Sequence, residues 1–277
     1  MAEHLSLTLP VSGKRWQGVR YGSTTRVGGV SAGSWAGLNL GMHTGDEPES
    51  VRENRRRLAS SLPAEPLWLQ QVHGIDVADA DADIVGAEAG DTAAPGDETG
   101  AQGGELTPVC ADAAVTTRPG RVLAVLTADC APVVIAETQG RALGVAHAGW
   151  RGLAAGVLEA TLAKLRARVP GAPSWRAWVG PCIGQAAFEV GDVVRYAFIA
   201  HDPQAGEYFV PGRAVGKWQA DLAGLARQRL HSAGVEDVEI AGLCTFARAD
   251  LFYSYRRDSV TGRIATLAWL DPQYDAF

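Results

Sequence analysis

TADCAPVVIAETQGRALGVAHAGWRG, residues 127–152, is the stretch that decides how this chain folds. The short apolar runs at 122–126, 133–136 and 142–146 are rich in β-branched residues and bounded by Gly, Pro and polar residues. That pattern predicts three consecutive strands. Gln139-Gly140 between the last two predicts a hairpin turn. A hairpin closed there leaves Cys130 and His147 next to each other at its open ends. Beyond His147, Gly149-Trp150-Arg151-Gly152 leads into a helical period. One place therefore offers a soft sulfur ligand, an imidazole and a helix N-terminus.

Working outward, residues 153–169 carry Leu153, Val157, Leu158, Leu162, Leu165 and Val169 at helical spacing, and Pro170-Gly171 stops the helix. Residues 46–62 predict another helix, with Asp46 as its cap, Pro48 and Glu49 in its first turn, and Val51, Leu58 and Leu62 on its apolar face. Its arginines, Arg52, Arg55, Arg56 and Arg57, read as a solvated side. Helices are also predicted over 187–200 and 219–232. Strands are predicted over 67–72, 112–117, 175–179, 238–243 and 263–270. Strands and helices mix along the whole chain, with no linker and no repeat. This predicts a single α+β domain, residues 1–277, with mixed rather than purely parallel sheets.

The 277 residues are 47% apolar and 20% charged, which suits a globular protein with a sizeable core. The net charge is −6 and the basic residues form no patch, which argues against nucleic acid as a partner. No apolar run is long enough to span a bilayer, and the N-terminus carries no signal core, so the expectation is a cytoplasmic protein. No membrane association and no obligate protein partner is evident. The four cysteines, Cys110, Cys130, Cys182 and Cys244, form no CxxC and read as free thiols. Residues 58–117 contain no Lys or Arg but 11 acids. Within them, 86–107 lacks aromatic residues and reads as an exposed acidic insertion.

Two of the six histidines, His73 and His147, share one setting at the end of an apolar strand before Gly or Ala-Gly. With Cys130 they make a nitrogen, nitrogen and sulfur set that suits Zn²⁺, with a fourth position left for water or substrate. Spacing alone adds little, because His73 and Cys130 lie far apart in sequence. Cys182 is the candidate for a fourth ligand, which would make the metal a structural staple instead.

QQVHG (70–74), TADCAPV (127–133), HAGWRG (147–152), GPCIG (180–184) and RRDSVTGR (256–263) occur in this order. With these motifs the chain resembles the YfiH-type, laccase-domain family, also called bacterial polyphenol oxidase-like or purine nucleoside phosphorylase-like. TRVGGVS and LNLGMHTGD near the N-terminus are similar to that family too, and the acidic insertion is longer than its pattern. The resemblance implies two mixed sheets packed face to face and flanked by helices. It implies Zn²⁺ on His73, Cys130 and His147, with Cu²⁺ as the alternative ion. It also implies a purine nucleoside and phosphate as substrates: phosphorolysis of adenosine, inosine and methylthioadenosine, with adenosine deamination.

For that chemistry the sequence offers further candidates. Arg151 at the start of the 153–169 helix, and Arg26 in its Gly-rich loop, suit phosphate. Asp129 suits a general acid/base, a partner that orients a ligand, or a plain turn cap. Arg256 and Arg257 suit phosphate or ribose, or a surface ion pair. Asn39 and His43 belong to the N-terminal substrate-loop candidates. Two other readings compete. One is a hydrolase that edits peptidoglycan precursors, with Cys130 as nucleophile and His147 as base. The other is copper-linked phenol oxidation at this single site, since six histidines with no H-x-H pair do not build a multicopper array.

Overall fold

The computed structural model describes residues 9–82 and 108–271. The acidic insertion expected at 86–107 lies outside the described residues. The predicted hairpin is present: β7 (Ala131–Glu137) and β8 (Leu143–Ala148) pair antiparallel, with Pro132 opposite His147. Around it forms a six-stranded mixed sheet in the order β13-β9-β7-β8-β5-β3. The other members are β3 (Val77–Asp79), β5 (Ala113–Thr116), β9 (Trp175–Val179) and β13 (Asp237–Ile240). A second sheet, β1-β14-β6, comprises β1 (Val19–Ser23), β6 (Leu123–Thr127) and β14 (Ile264–Leu270), and is antiparallel throughout.

Every residue of β6, β7 and β8 is buried. The reason is layering, and it explains why these strands read as continuous apolar runs rather than alternating ones. Val134, Val145 and Leu143 face Val125, Tyr21 and Ile264 of the smaller sheet. Val133, Ile135 and Ala146 face the helices on the opposite side. Those helices are α2 (Trp150–Ala155), α3 (Val157–Arg168) and α5 (Leu222–Ser232). Beyond the smaller sheet lies α1 (Pro48–Ala59), whose Leu58 joins a cluster with Leu40, Val122 and Leu267. The expectation of an α+β fold with facing sheets between helices describes this architecture.

Several expected boundaries differ. The helix expected over 153–169 starts earlier, at Trp150, and is broken at Gly156, whose φ is 104°. Asp46 does not cap α1. Its carboxylate instead accepts from Ser31 and Asn39, and so ties down the preceding loop. Arg55 is not on a solvated side: its guanidinium lies 4.1 Å from the Trp68 ring centroid. The helix over 187–200 shortens to α4 (Asp192–Ile199), and Gln219 belongs to a strand, because a small antiparallel sheet forms there. Its strands are β10 (Glu189–Gly191), β11 (Phe209–Pro211) and β12 (Lys217–Ala220). The 67–72 strand contracts to β2 (Leu69–Gln70), paired in parallel with β4 (Val109–Cys110). No helix among the described residues is long and apolar enough to cross a membrane.

Gly156 sits in the left-handed region that an L side chain adopts only at a cost. Replacing it with Ala therefore lowers unfolding stability by about 1–2 kcal/mol. Urea unfolding monitored by circular dichroism reads this as a lower midpoint at unchanged slope.

Candidate metal centre and cavity

The open ends of the β7–β8 hairpin meet the loop after β2. His147 is the fifth residue of β8, on the same face as Val145 and Leu143 by strand alternation. Cys130 stands one residue before β7. His73 arrives from the QQVHG loop. The ligand atoms of His73, Cys130 and His147 all lie within 4.8 Å of one another, a spacing that can hold a metal ion. Cys130 Sγ is 3.8 Å from His73 Nε2. Among the described residues no other group of three His, Cys, Asp or Glu side chains converges in this way. Cys182, the fourth candidate, is buried in the apolar core beneath and is not part of the group.

Asp112, wholly buried, organises the cluster. One oxygen, Oδ1, accepts from His147 Nδ1 at 2.8 Å and from the His73 amide at 2.9 Å. The other, Oδ2, accepts from the amides of Val72 at 3.1 Å and Gly74 at 2.6 Å. Three consecutive amides thus wrap one carboxylate, an anion-holding nest. The wrap requires His73 to take φ 62°, a conformation few side-chain-bearing residues adopt. Because Nδ1 of His147 is engaged by Asp112, Nε2 is the nitrogen left for a metal. Gln71 pins the same loop: its side-chain amide donates to Leu126 O at 2.8 Å and accepts from Leu126 N at 2.7 Å, imitating a strand pair. At Gly149, an added Cβ would stand 2.8 Å from His73 Cδ2 and 3.0 Å from Cys130 Sγ, so only glycine lets both groups close in.

Charge follows from this packing. Burial disfavours the Cys130 thiolate, yet His147 and His73 beside it more than offset that, and the thiol is lowered to about 6. Burial likewise disfavours the His147 imidazolium, but Cys130 and Asp112 raise its pKa to about 9. Burial alone would raise Asp112. The His147 ring and the backbone amides hold it below the usual carboxylate range instead.

The three donors open into a cavity of about 390 Å³. His43, Asp129, Arg151 and Arg256, all named as candidates from the sequence, line it together with Gln71, Phe188, Tyr255 and Arg263. Asp129, at φ 99°, is tied into the wall: its carboxylate accepts from Thr245 Oγ1 at 2.6 Å, Ser254 Oγ at 3.0 Å and the Arg256 amide at 2.7 Å. Arg151 lies in the first turn of α2, a helix of six residues, so the dipole behind it is short.

Arg26, Asn39 and Arg257 do not line the cavity. The guanidinium of Arg26 donates to Ala36 O and Ala249 O and stacks 4.6 Å from the Tyr253 centroid. Arg257 donates to Thr245 O, Phe246 O and Phe252 O. Asn39 is completely buried and bonds to Thr44, Asp46, Gly41 and Arg263. Asp112, Gln71 and Arg263 were not singled out from the sequence. An Asp at the head of an apolar strand and a second Gln before a His are weak signals until the loop is folded back on them.

One thiol and two imidazoles converging on an open cavity make a candidate metal centre. A family model described as multi-copper polyphenol oxidoreductase laccase matches residues 20–271. Purine nucleoside phosphorylase PA4543 of Pseudomonas aeruginosa is 45% identical over 252 residues, covering 91% of this chain and 93% of its own. Purine nucleoside phosphorylase YfiH of Escherichia coli is 43% identical over 256 residues, covering 92% and 95%. The structure of Neisseria meningitidis protein NMB0706 superposes with a TM-score of 0.78 at 41% identity, over 92% of this chain and 95% of that one. YlmD from Geobacillus stearothermophilus superposes at 0.77 with 30% identity, over 92% of each chain. The chain belongs to this laccase-like, YfiH-type family.

Two measurements test the cluster. At pH 7 the thiol, at about 6, is largely ionised, while His147, at about 9, still carries the proton a metal must displace. Metal binding at pH 7 should therefore release about one proton, and affinity should fall as pH is lowered. Calorimetry in buffers of different ionisation heat reads both. Asp112→Asn should weaken metal affinity about 10–100-fold, read by competition with a chelator.

Proposed function

We propose that the protein is a zinc-dependent purine nucleoside phosphorylase, acting on adenosine, inosine and methylthioadenosine, with adenosine deamination at the same site. The observation that carries this reading is the His73–Cys130–His147 cluster at the end of a cavity of about 390 Å³, in a chain 43–45% identical to proteins named purine nucleoside phosphorylases. The volume lies in the range of small-ligand sites, about 300–1,000 Å³. The donor set of two imidazoles and one thiolate fits Zn²⁺ with one coordination position open.

Phosphorolysis joins a phosphate oxygen to ribose C1′ while the C1′–N9 bond breaks, and the departing purine takes up a proton. A zinc ion held by His73, Cys130 and His147 would supply Lewis acidity. The chain's own residues supply the rest. Ile183, Phe188 and Tyr255 give apolar walls against which a purine packs. Arg151, exposed at the mouth, and Arg256 bring positive charge to an anionic co-substrate. Asp129 acts as a positioning group. It fixes the Arg256 backbone and the turn that presents Cys130. Asp112 holds the His147 ring in one orientation and its Nδ1 proton in place. All four cysteines are free thiols, which suits the reducing cytoplasm as the site of action.

One observation favours a second reading. Cys130, His147 and Asp112 stand in the order nucleophile, base and orienter, with the thiol at about 6. A metal-free form with this arrangement would serve acyl transfer on a peptidoglycan precursor.

With metal present, inosine plus phosphate should yield hypoxanthine and ribose 1-phosphate, and His73→Ala or Cys130→Ala should lose both the metal and this turnover. Chromatography of the products and elemental analysis read the two effects. Hypoxanthine formation unchanged after chelation would overturn the metal-dependent reading, and release of an amino acid from a cell-wall precursor by metal-free protein, lost on alkylating Cys130, would favour the thiol reading instead.

A further inference from the structure

Arg263 lines the cavity beside His43, and nothing in the reading so far assigns it a task. It is held with unusual thoroughness for an arginine. Its amide donates to Asn39 Oδ1 at 2.8 Å, and its carbonyl accepts from Leu40 N at 3.1 Å. Its Nη1 donates back to Thr261 O at 3.1 Å and Gly262 O at 2.9 Å. The stem lies flat on Gly41: a Cβ there would stand 2.8 Å from Arg263 Cγ and 3.2 Å from its Cβ. Asn39 is in turn locked by Thr44 and Asp46, and Asn54 of α1 donates to the Asn39 carbonyl at 2.9 Å. The LNLG segment (38–41) and the TGR segment (261–263) are thus two halves of one holder for a guanidinium.

That guanidinium has no acid of its own. Its side-chain hydrogen bonds among the described residues go to backbone carbonyls, not to a carboxylate. The Asp129 carboxylate in the same wall is taken up by Thr245, Ser254 and the Arg256 amide. Burial lowers Arg263 from the ordinary guanidinium range, while Cys130, Asp129 and Tyr255 nearby act in the opposite direction. His43 is lowered as well, by burial first and then by the charges of Arg263 and Arg55, so it faces the cavity as a neutral ring. A half-buried guanidinium whose hydrogen bonds go only to carbonyls, with the Cys130 and Asp129 charges near it but not bonded to it, keeps donors free for an anion. A planar fork held rigidly at a cavity wall is the arrangement that recognises tetrahedral oxyanions.

We propose that Arg263, held by residues 38–41 and joined by His43, is the oxyanion subsite of the cavity, and that its ligand is free inorganic phosphate. The proposal deepens the phosphorolysis reading and rests on it for the identity of the anion. It places the co-substrate at the Arg263–His43 wall of the cavity, rather than at the start of α2 beside Arg151.

The test is binding of inorganic phosphate to the metal-loaded, full-length protein by calorimetry, alongside phosphorolysis kinetics. Arg263→Gln should weaken phosphate binding about 10–100-fold. It should raise the KM for phosphate by a similar factor and change that for inosine much less. Arg263→Lys should recover part of the loss, and Gly41→Ala, which keeps the arginine but pushes its stem aside, should weaken phosphate in the same direction. Thermal unfolding of each variant confirms that it is folded. If wild-type protein binds no phosphate, or Arg263→Gln binds it as tightly as wild type, the proposal is overturned. The same holds if Arg151→Gln abolishes binding while Arg263→Gln does not. If phosphate binding depends on Arg263 but no nucleoside is cleaved, the subsite stands and the phosphorolysis reading falls.

Discussion

The Asp112 carboxylate, with no exposed surface, takes three successive amides from residues 72–74 on one side and the His147 ring on the other. It is the point where a loop from one part of the chain and a strand from another become a single site. Its own amide and that of Ala113 are held by Asp76 O, and its carbonyl accepts from the His147 amide, so backbone and side chain fix the same geometry. A buried carboxylate is costly unless its lone pairs are met. Here four donors meet them, and one donor is a side chain that takes part in the cluster.

Two side-chain-bearing residues with positive φ lie at the donor cluster: His73, one of the donors, and Asp129, next to Cys130 in the chain. Such backbone costs of order 1–3 kcal/mol per residue and persists only where the surroundings over-determine it. Each of the two has its compensation in view. The His73 turn closes on Asp112. The Asp129 turn closes on Thr245, Ser254 and Arg256, and its carbonyl accepts from Ile183 N. The strain delivers His73 and Cys130 to a common point from opposite sides, and Gly149 leaves room for them there.

The cavity lining gathers the thiol and two imidazoles with His43 and Arg263, and with Arg151 and Arg256, both exposed to solvent. Arg256 also borders a neighbouring open groove lined by Gln185, Glu189 and Phe246, and its Nη1 donates to Glu189 O at 2.9 Å. Arginines around a sulfur-containing donor set give the cavity a positive field.

The local parts were legible because they obey short-range rules. Hydrophobic runs bounded by turn residues placed β9 to the residue and β6, β7 and β8 to within two residues at each end, and Gln139-Gly140 fixed which ends of the hairpin would stand open. The roles of Asn39, Arg26 and Arg257 were not legible, because a polar side chain in a Gly-rich or Arg-rich loop reads the same whether it faces a ligand or props up another loop. Asp112 and Arg263 were missed for the converse reason, since each matters through partners tens or hundreds of positions away. The sequence by itself determined the strands, the hairpin and the residue types able to bind a metal, because periodicity and turn chemistry act between neighbours. Only the tertiary structure decided which carboxylate orders the cluster and that Arg263 joins Arg151 and Arg256 in the cavity wall. Those choices depend on burial and on contacts between distant segments, which no local pattern encodes.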